Sequence, residues 1–525
     1  YLASRLYMTQ LRLEVHWRSC LFRVAIMKCS SLSIFVLLYF TLFHKTFGWR
    51  VSHLRHRRRL LGEPAGVPKN SMPAPDHWFT QKLDHFDPLN NNTWKQRYQV
   101  NETFFGKKLD SPVFLMIGGE GSISSKWMAA GAWQIYAEKY EALCIQLEHR
   151  YYGKSWPLPD MSTENLRFLS SEQALADLAY FIEGMIVKYG LIRSNKWILF
   201  GGSYPGSLAA WARSKYAHLV HASISSSGPL VAVADFKEYN EVVKDALASV
   251  SEDCADQVHQ AALHLEKLVE HPVGGKIISR LFNLCTPLDV MNKKDVSTLA
   301  ETLAGNIDEV VQYNKDNRIT SDPTPAFTID DVCAKMINRG IGTPLERYAA
   351  FSKMMLKRNN ESCLDVTYKN MIKDLRNVTF ADTEGAGGRQ WTYQTCTEFG
   401  FFQTTSSRSE LFGSLFDVNY FIDQCRDIFG EGFNKNTLLD GIERTNTLYG
   451  GREIGVYRVM FVHGSIDPWH ALGITESLFP RTPAVFINGT AHCANMYPPS
   501  PNDLPELKMA RVKINNHIGN WLMKN

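Results

Sequence analysis

The stretch Lys196-Trp197-Ile198-Leu199-Phe200-Gly201-Gly202-Ser203-Tyr204-Pro205-Gly206-Ser207-Leu208-Ala209-Ala210 changes character twice. An apolar run of strand length stops at two glycines, presents one serine, and restarts as an Ala-rich helix. That is the pattern of a strand, a sharp turn and a helix with a nucleophile at the turn. Glycines suit such a turn because the serine backbone is strained and neighbouring side chains would collide with the strand and helix. The helix that follows aims its free N–H groups at the turn and favours negative charge there. The spacing departs from Gly-x-Ser-x-Gly: Pro205 stands in the place of the second glycine, and Gly206 follows one residue later. Proline loses nothing in the first turn of a helix, but it biases Tyr204 away from helical angles. Taken alone, the stretch reads equally well as an ordinary glycine-rich strand-to-helix turn.

Upstream, Pro112–Ile117 is a buried-strand run that ends in Gly118-Gly119-Glu120-Gly121. Glycines directly after a strand let backbone N–H groups face a ligand. Ala142–Leu147 is a further strand running into Glu148-His149-Arg150-Tyr151-Tyr152-Gly153-Lys154-Ser155. Residues 171–189 read as an amphipathic helix that stops at Gly190 after a basic turn. His218–Ser225 is strand-like again. Strands alternating with helices predict a mostly parallel sheet covered on both faces. From about Asp235 to Gly430 helical periodicity takes over, and six of the eight cysteines beyond the N-terminal region fall there. Strand texture resumes at Val456–Val462, followed by Asp467, and at Pro483–Ile487, followed by His492; Arg511–Lys524 looks like a closing helix. The predicted plan is a sheet domain in two parts, residues 77–230 and 431–525, interrupted by a helical cap over residues 231–430.

Ser203, Asp467 and His492 thus follow three strands in that chain order. Loops after parallel strands share one edge, where active sites form. Serine, aspartate, histidine is the order of the α/β-hydrolase arrangement. The chemistry assigns Ser203 as nucleophile, His492 as base and then acid, and Asp467 as the group that fixes the histidine tautomer. Backbone N–H groups of Tyr204 and Gly119 would hold an oxyanion. His149, His463 and His470 are rival bases that rank lower: the first precedes the serine, and the other two flank the aspartate too closely.

Several motifs carry a family resemblance. They are Gly-Gly-Glu-Gly at 118–121, Glu148–Ser155, Phe168-Leu169-Ser170-Ser171, Gly201–Tyr204, Tyr449-Gly450-Gly451, Asp467-Pro468-Trp469-His470 and His492-Cys493. Together they make residues 77–522 similar to the serine carboxypeptidase family of lysosomal Pro-X carboxypeptidase and dipeptidyl peptidase II. Ser207–Arg213 and Trp391–Gly400 resemble its thymus-specific serine protease branch. The resemblance implies an α/β-hydrolase fold with an inserted helical cap and exopeptidase action, often near proline. It implies Ser203, Asp467 and His492 as the triad, Trp469 as part of a proline-side pocket, and Glu120 beside substrate. Disulfides Cys396–Cys425 and Cys254–Cys333 are expected on the same ground. Thr404–Arg408 lacks the cysteines of the thymus-type branch, so no local bridge is expected there.

Composition agrees with an enzyme of this kind. The chain has 525 residues, is 45% hydrophobic and carries a net charge of +4, which excludes global disorder and gives no basic face for nucleic acid. Met27-Lys28 precedes an apolar run from Leu32 to Phe43, too short to span a bilayer. The expectation is upstream translated sequence over 1–26, a signal peptide over 27–48 and a flexible lead or propeptide over 49–76. Sequons at Asn91, Asn101, Asn360, Asn377 and Asn488 support the secretory pathway, ending in an endosomal–lysosomal or extracellular compartment. Peptides are the expected substrates, with no cofactor, no metal, no nucleic acid and no stable membrane anchor; a homodimer is left open. A serine esterase or lipase on the same fold and a non-catalytic binding homologue are the alternative readings.

Overall fold

The computed structural model describes residues 61–64, 74–315, 327–381, 387–408, 411–477, 479 and 482–523. The expected signal peptide therefore lies outside the described residues. Eight strands form one sheet: β1 (Asp76–Lys82), β2 (Thr93–Asn101), β3 (Val113–Ile117), β4 (Leu143–Leu147), β5 (Trp197–Gly202), β6 (Val220–Ser226), β9 (Val459–Gly464) and β10 (Ala484–Ile487). Two short strands, β7 (Val233–Asp235) and β8 (Gly400–Phe402), pair with each other outside it.

The order across the large sheet is β1-β2-β4-β3-β5-β6-β9-β10. β4 through β10 run parallel, and β1 and β2 add an antiparallel edge. The central strands β3, β4, β5 and β9 are buried at every position, as strands covered on both faces must be. On one face, helices Ala132–Tyr140 and Pro505–Met523 pack together; Tyr140 donates its hydroxyl to the Asn515 carbonyl (2.8 Å), and Trp133, Phe200, Ile514 and Trp521 share the apolar core. Helices Ser171–Tyr189 and Tyr204–Lys215 lie against each other elsewhere on the fold, the second packed on β5 and β6. This is the α/β-hydrolase fold. Of the expected lead, Leu61 packs against the core, Glu63 pairs with Lys126, and Tyr497 donates to the Gly62 carbonyl (3.2 Å).

Between β6 and β9 the chain is helical, from Glu238–Ala248 to Lys435–Tyr449. Lys293–Gln312 shows why: Asn292 caps its start, and Val296, Leu299, Leu303, Ile307 and Val310 recur at helical spacing and are buried. Pro344–Arg358 opens with a capping box of Thr343 and Glu346. Cys254–Cys333, Cys285–Cys363 and Cys396–Cys425 are disulfides, all inside this insertion. The second was not read from the sequence, because spacing alone does not reveal connectivity. Cys144 and Cys493 are free and buried. Asn91, Asn360, Asn377 and Asn488 are exposed, whereas Asn101 turns its Nδ2, the atom that would carry a glycan, onto the Met128 carbonyl (2.8 Å).

The loop after β4 ties the chain just past β1 to helix Ser171–Tyr189. Arg150 is fully buried; its Nε and Nη2 grip the two oxygens of Asp177 (2.6 and 2.7 Å), and its Nη1 donates to the Leu83 and Phe168 carbonyls. Breaking one half of a buried pair leaves an uncompensated charge. Arg150→Met is expected to lower stability by about 3–5 kcal/mol, read as a lower urea midpoint, and Arg150→Lys is expected not to restore it because one ammonium cannot replace the fork.

Candidate active site

β5 ends at Gly202, and Ser203 takes φ 64°, ψ −136°, a conformation that side-chain-bearing residues rarely adopt. The helix begins at once with Tyr204, and Pro205 occupies its first turn. The bias of a pre-proline residue away from helical angles is overridden here by the packing of Tyr204, which is fully buried. Two close approaches explain the shifted glycine pattern. A Cβ on Gly201 would lie 2.0 Å from the Pro205 carbonyl oxygen, and one on Gly119 would lie 2.5 Å from Pro205 Cγ. The proline ring fills the space that Gly119 leaves, so the loop after β3 sits directly on the start of the elbow helix. The Gly119 backbone thereby reaches the same end of the helix as the Tyr204 backbone.

Asp467 follows β9 and is fully buried. Its Oδ1 accepts from the Trp469 N–H (3.1 Å) and from His492 Nδ1 (2.8 Å). Burial opposes the charge of this carboxyl, but His492 prevails and holds it below its ordinary value. Reciprocally, burial would lower His492, yet the Asp467 carboxylate keeps it well above the usual imidazole range. With Nδ1 donating, Nε2 is left as the acceptor; it is buried and meets no partner among the described residues. The rival histidines are engaged otherwise or not at all. His149 bonds the Tyr204 hydroxyl (3.0 Å), His470 bonds the Asp467 carbonyl (2.7 Å), and both ring nitrogens of His463 are buried with no hydrogen-bond partner among the described residues.

The end of β6 ties the serine and histidine loops together. Ser203 N–H donates to the Ser226 carbonyl (2.9 Å), and Cys493 N–H donates to Ser227 Oγ (2.9 Å). A Cβ on Gly202 would come within 2.9 Å of Cys493 Sγ. The residues flanking Ser203 and His492 therefore touch, and both loops lie at the carboxyl edge of the sheet with Asp467.

The helical insertion completes the site with residues that sequence reading did not single out. The Gln312 carbonyl accepts from the His492 N–H (2.9 Å), and Gln312 Oε1 accepts from Trp469 Nε1 (3.1 Å) and the Tyr239 hydroxyl (2.7 Å). Trp469 packs edge-to-face with Tyr239 and Phe401 and tilted against Phe236, at centroid separations of 5.4–5.9 Å. Nothing in the periodicity of a cap helix marks its last glutamine as a neighbour of a histidine far along the chain. On the other side, a cavity of about 1010 Å³ reaches Gly119, Glu120, Gly202, Pro205 and Met496. Glu120 lines it.

A strained serine at a strand-to-helix elbow, with a buried carboxylate–imidazole couple on the same sheet edge, is the arrangement of a serine hydrolase. A family model described as serine carboxypeptidase S28 matches residues 81–514, and the chain belongs to that family of serine peptidases. It is 38% identical over 455 residues to a putative serine protease, K12H4.7, of Caenorhabditis elegans, covering 85% of this chain and 88% of that one. It is 35% identical over 468 residues to the thymus-specific serine protease of Mus musculus, with coverages of 87% and 88%. To the lysosomal Pro-X carboxypeptidase of Homo sapiens it is 28% identical over 492 residues, covering 90% and 95%.

The Gly119–Pro205 contact makes a test of the site. Gly119→Ala should push the loop off the helix and lower kcat/KM by about 100-fold, the effect of losing one oxyanion donor. Gly119→Ala combined with Pro205→Gly should recover most of that loss, a coupling read from the double-mutant cycle.

Proposed function

We propose that the chain is an exopeptidase that cleaves peptides through Ser203, His492 and Asp467. The observation that carries this reading is the buried His492, held by Asp467 through Nδ1, whose neighbour Cys493 packs against Gly202 at the elbow. Ser203 Oγ attacks the scissile carbonyl carbon while His492 Nε2 takes its proton. The N–H groups of Tyr204 and Gly119 hold the oxyanion. Collapse of that intermediate breaks the C–N bond, and His492 returns the proton to the leaving amine. Water, deprotonated by His492, then attacks the acyl-enzyme carbonyl, and Ser203 leaves with the proton.

Two features support action at chain ends and tolerance of proline. Helix Lys293–Gln312 reaches the site from the insertion, so the approach to Ser203 is covered on that side. The rings of Trp469, Phe236, Tyr239 and Phe401 form an apolar wall beside His492 suited to a proline ring. Glu120, expected beside substrate, lines the cavity that also reaches Gly119 and Pro205. The three disulfides fit an oxidising compartment of the secretory pathway.

A fluorophosphonate probe is expected to label Ser203, and Ser203→Ala is expected to abolish both labelling and turnover of proline-containing peptides. Absence of labelling, or short-chain esters turned over in preference to every peptide, would sink the reading. In the free enzyme the acid limb of kcat/KM reports the loss of the His492 proton. Because Asp467 favours the protonated ring, Asp467→Asn should move that limb to lower pH and lower kcat by about 10⁴.

A further inference from the structure

The Glu148–Tyr152 motif and the segment Trp391–Phe399 have no part in the acyl transfer, yet they meet around Tyr204. His149 lies in the loop after β4, Tyr204 begins the elbow helix, and Gln394 ends helix Gly388–Gln394 of the insertion. All three are buried, at 4%, 1% and 0% exposure. Their hydrogen bonds run in one direction. His149 Nδ1 donates to the Arg150 carbonyl (2.7 Å), so Nε2 is an acceptor and accepts a hydrogen bond from the Tyr204 hydroxyl (3.0 Å). The Tyr204 oxygen in turn accepts from Gln394 Nε2 (3.1 Å), and Gln394 Oε1 accepts from the Tyr152 hydroxyl (2.8 Å). Burial keeps His149 neutral, pushed down to about 4, which preserves the acceptor. Gln394 is itself held by Glu398 (3.3 Å), whose carboxylate also takes the N–H and hydroxyl of Ser171 at the start of helix Ser171–Tyr189. The Tyr204 ring is wedged between Trp391 and Phe399.

A phenylalanine would fill the same volume, so the hydroxyl has a separate use. The first N–H groups of a helix have no partner within it. The direction of the Tyr204 N–H is therefore not set by the helix ladder, and the preceding Ser203 is strained. The side chain of Tyr204 adds an anchor of its own to the backbone contacts that hold the elbow. Resting on the triad reading above, we propose that His149 and Gln394 are positioning residues that clamp the Tyr204 hydroxyl and thereby aim its backbone N–H at the oxyanion. Because Gln394 belongs to the helical insertion, the oxyanion hole is assembled only when the insertion is seated.

The test uses the full chain carrying Tyr204→Phe, His149→Leu or His149→Gln, a proline-containing peptide and a peptidyl boronate that forms a tetrahedral adduct with serine. Tyr204→Phe and His149→Leu are expected to lower kcat up to about 100-fold, the scale of one oxyanion donor, with KM within about twofold. Boronate affinity should fall by the same factor as kcat, and product-peptide affinity should not change. His149→Gln, whose carboxamide oxygen replaces the Nε2 acceptor, should recover most of the loss. Unchanged kcat in Tyr204→Phe, or a loss that His149→Gln does not relieve, overturns the proposal. Fluorophosphonate labelling separates the two readings. If the unaltered protein is not labelled at Ser203, the triad assignment fails; if it is labelled and the variants turn over normally, only the clamp fails.

Discussion

The buried couple of Asp467 and His492 orders the upper rim of this molecule. Neither group can sit out of water alone, since an unpaired buried charge or acceptor is costly. Placed together they satisfy each other, and each makes charging the other less costly than burial alone would. The couple binds the loop after β9 to the loop after β10. It extends through the Gln312 carbonyl to a helix of the insertion and through the end of β6 to the elbow. Moving any of these segments would strand a buried polar group.

Steric complementarity does for the elbow what the ion pair does for the histidine. The strained serine persists because the surrounding backbone leaves it no alternative. Glycine at 201 admits the Pro205 carbonyl, and glycine at 119 admits the proline ring. A proline that looks out of place in a Gly-x-Ser-x-Gly pattern is thus one half of a fitted contact. The other half is a glycine that arrives from a different strand.

The insertion is more than a cover. It contributes Gln312 behind His492 and Gln394 behind Tyr204, so it touches both the base and the residue proposed to bind the oxyanion. All three disulfides of the described residues lie in it. Cross-links limit the unfolded alternatives of this layer of helices. Their concentration there matches the need for side chains to be held accurately above the rim.

Sequence alone carried the α/β-hydrolase fold, the strands β3, β5 and β9, and the helix Ser171–Tyr189, because apolar runs, caps and glycine stops act over a few neighbouring residues. Ser203, Asp467 and His492 stood out from their order and their places just beyond strands. The nature of the insertion was legible from its periodicity and its cysteines. Tertiary structure decided the rest. It brought Gln312 to His492, paired Cys285 with Cys363, set Pro205 into the gap at Gly119 and gathered His149 and Gln394 around Tyr204. Such contacts join segments tens to hundreds of residues apart, and what selects them is the shape and polarity of space inside the folded chain, which leaves no local periodicity to read.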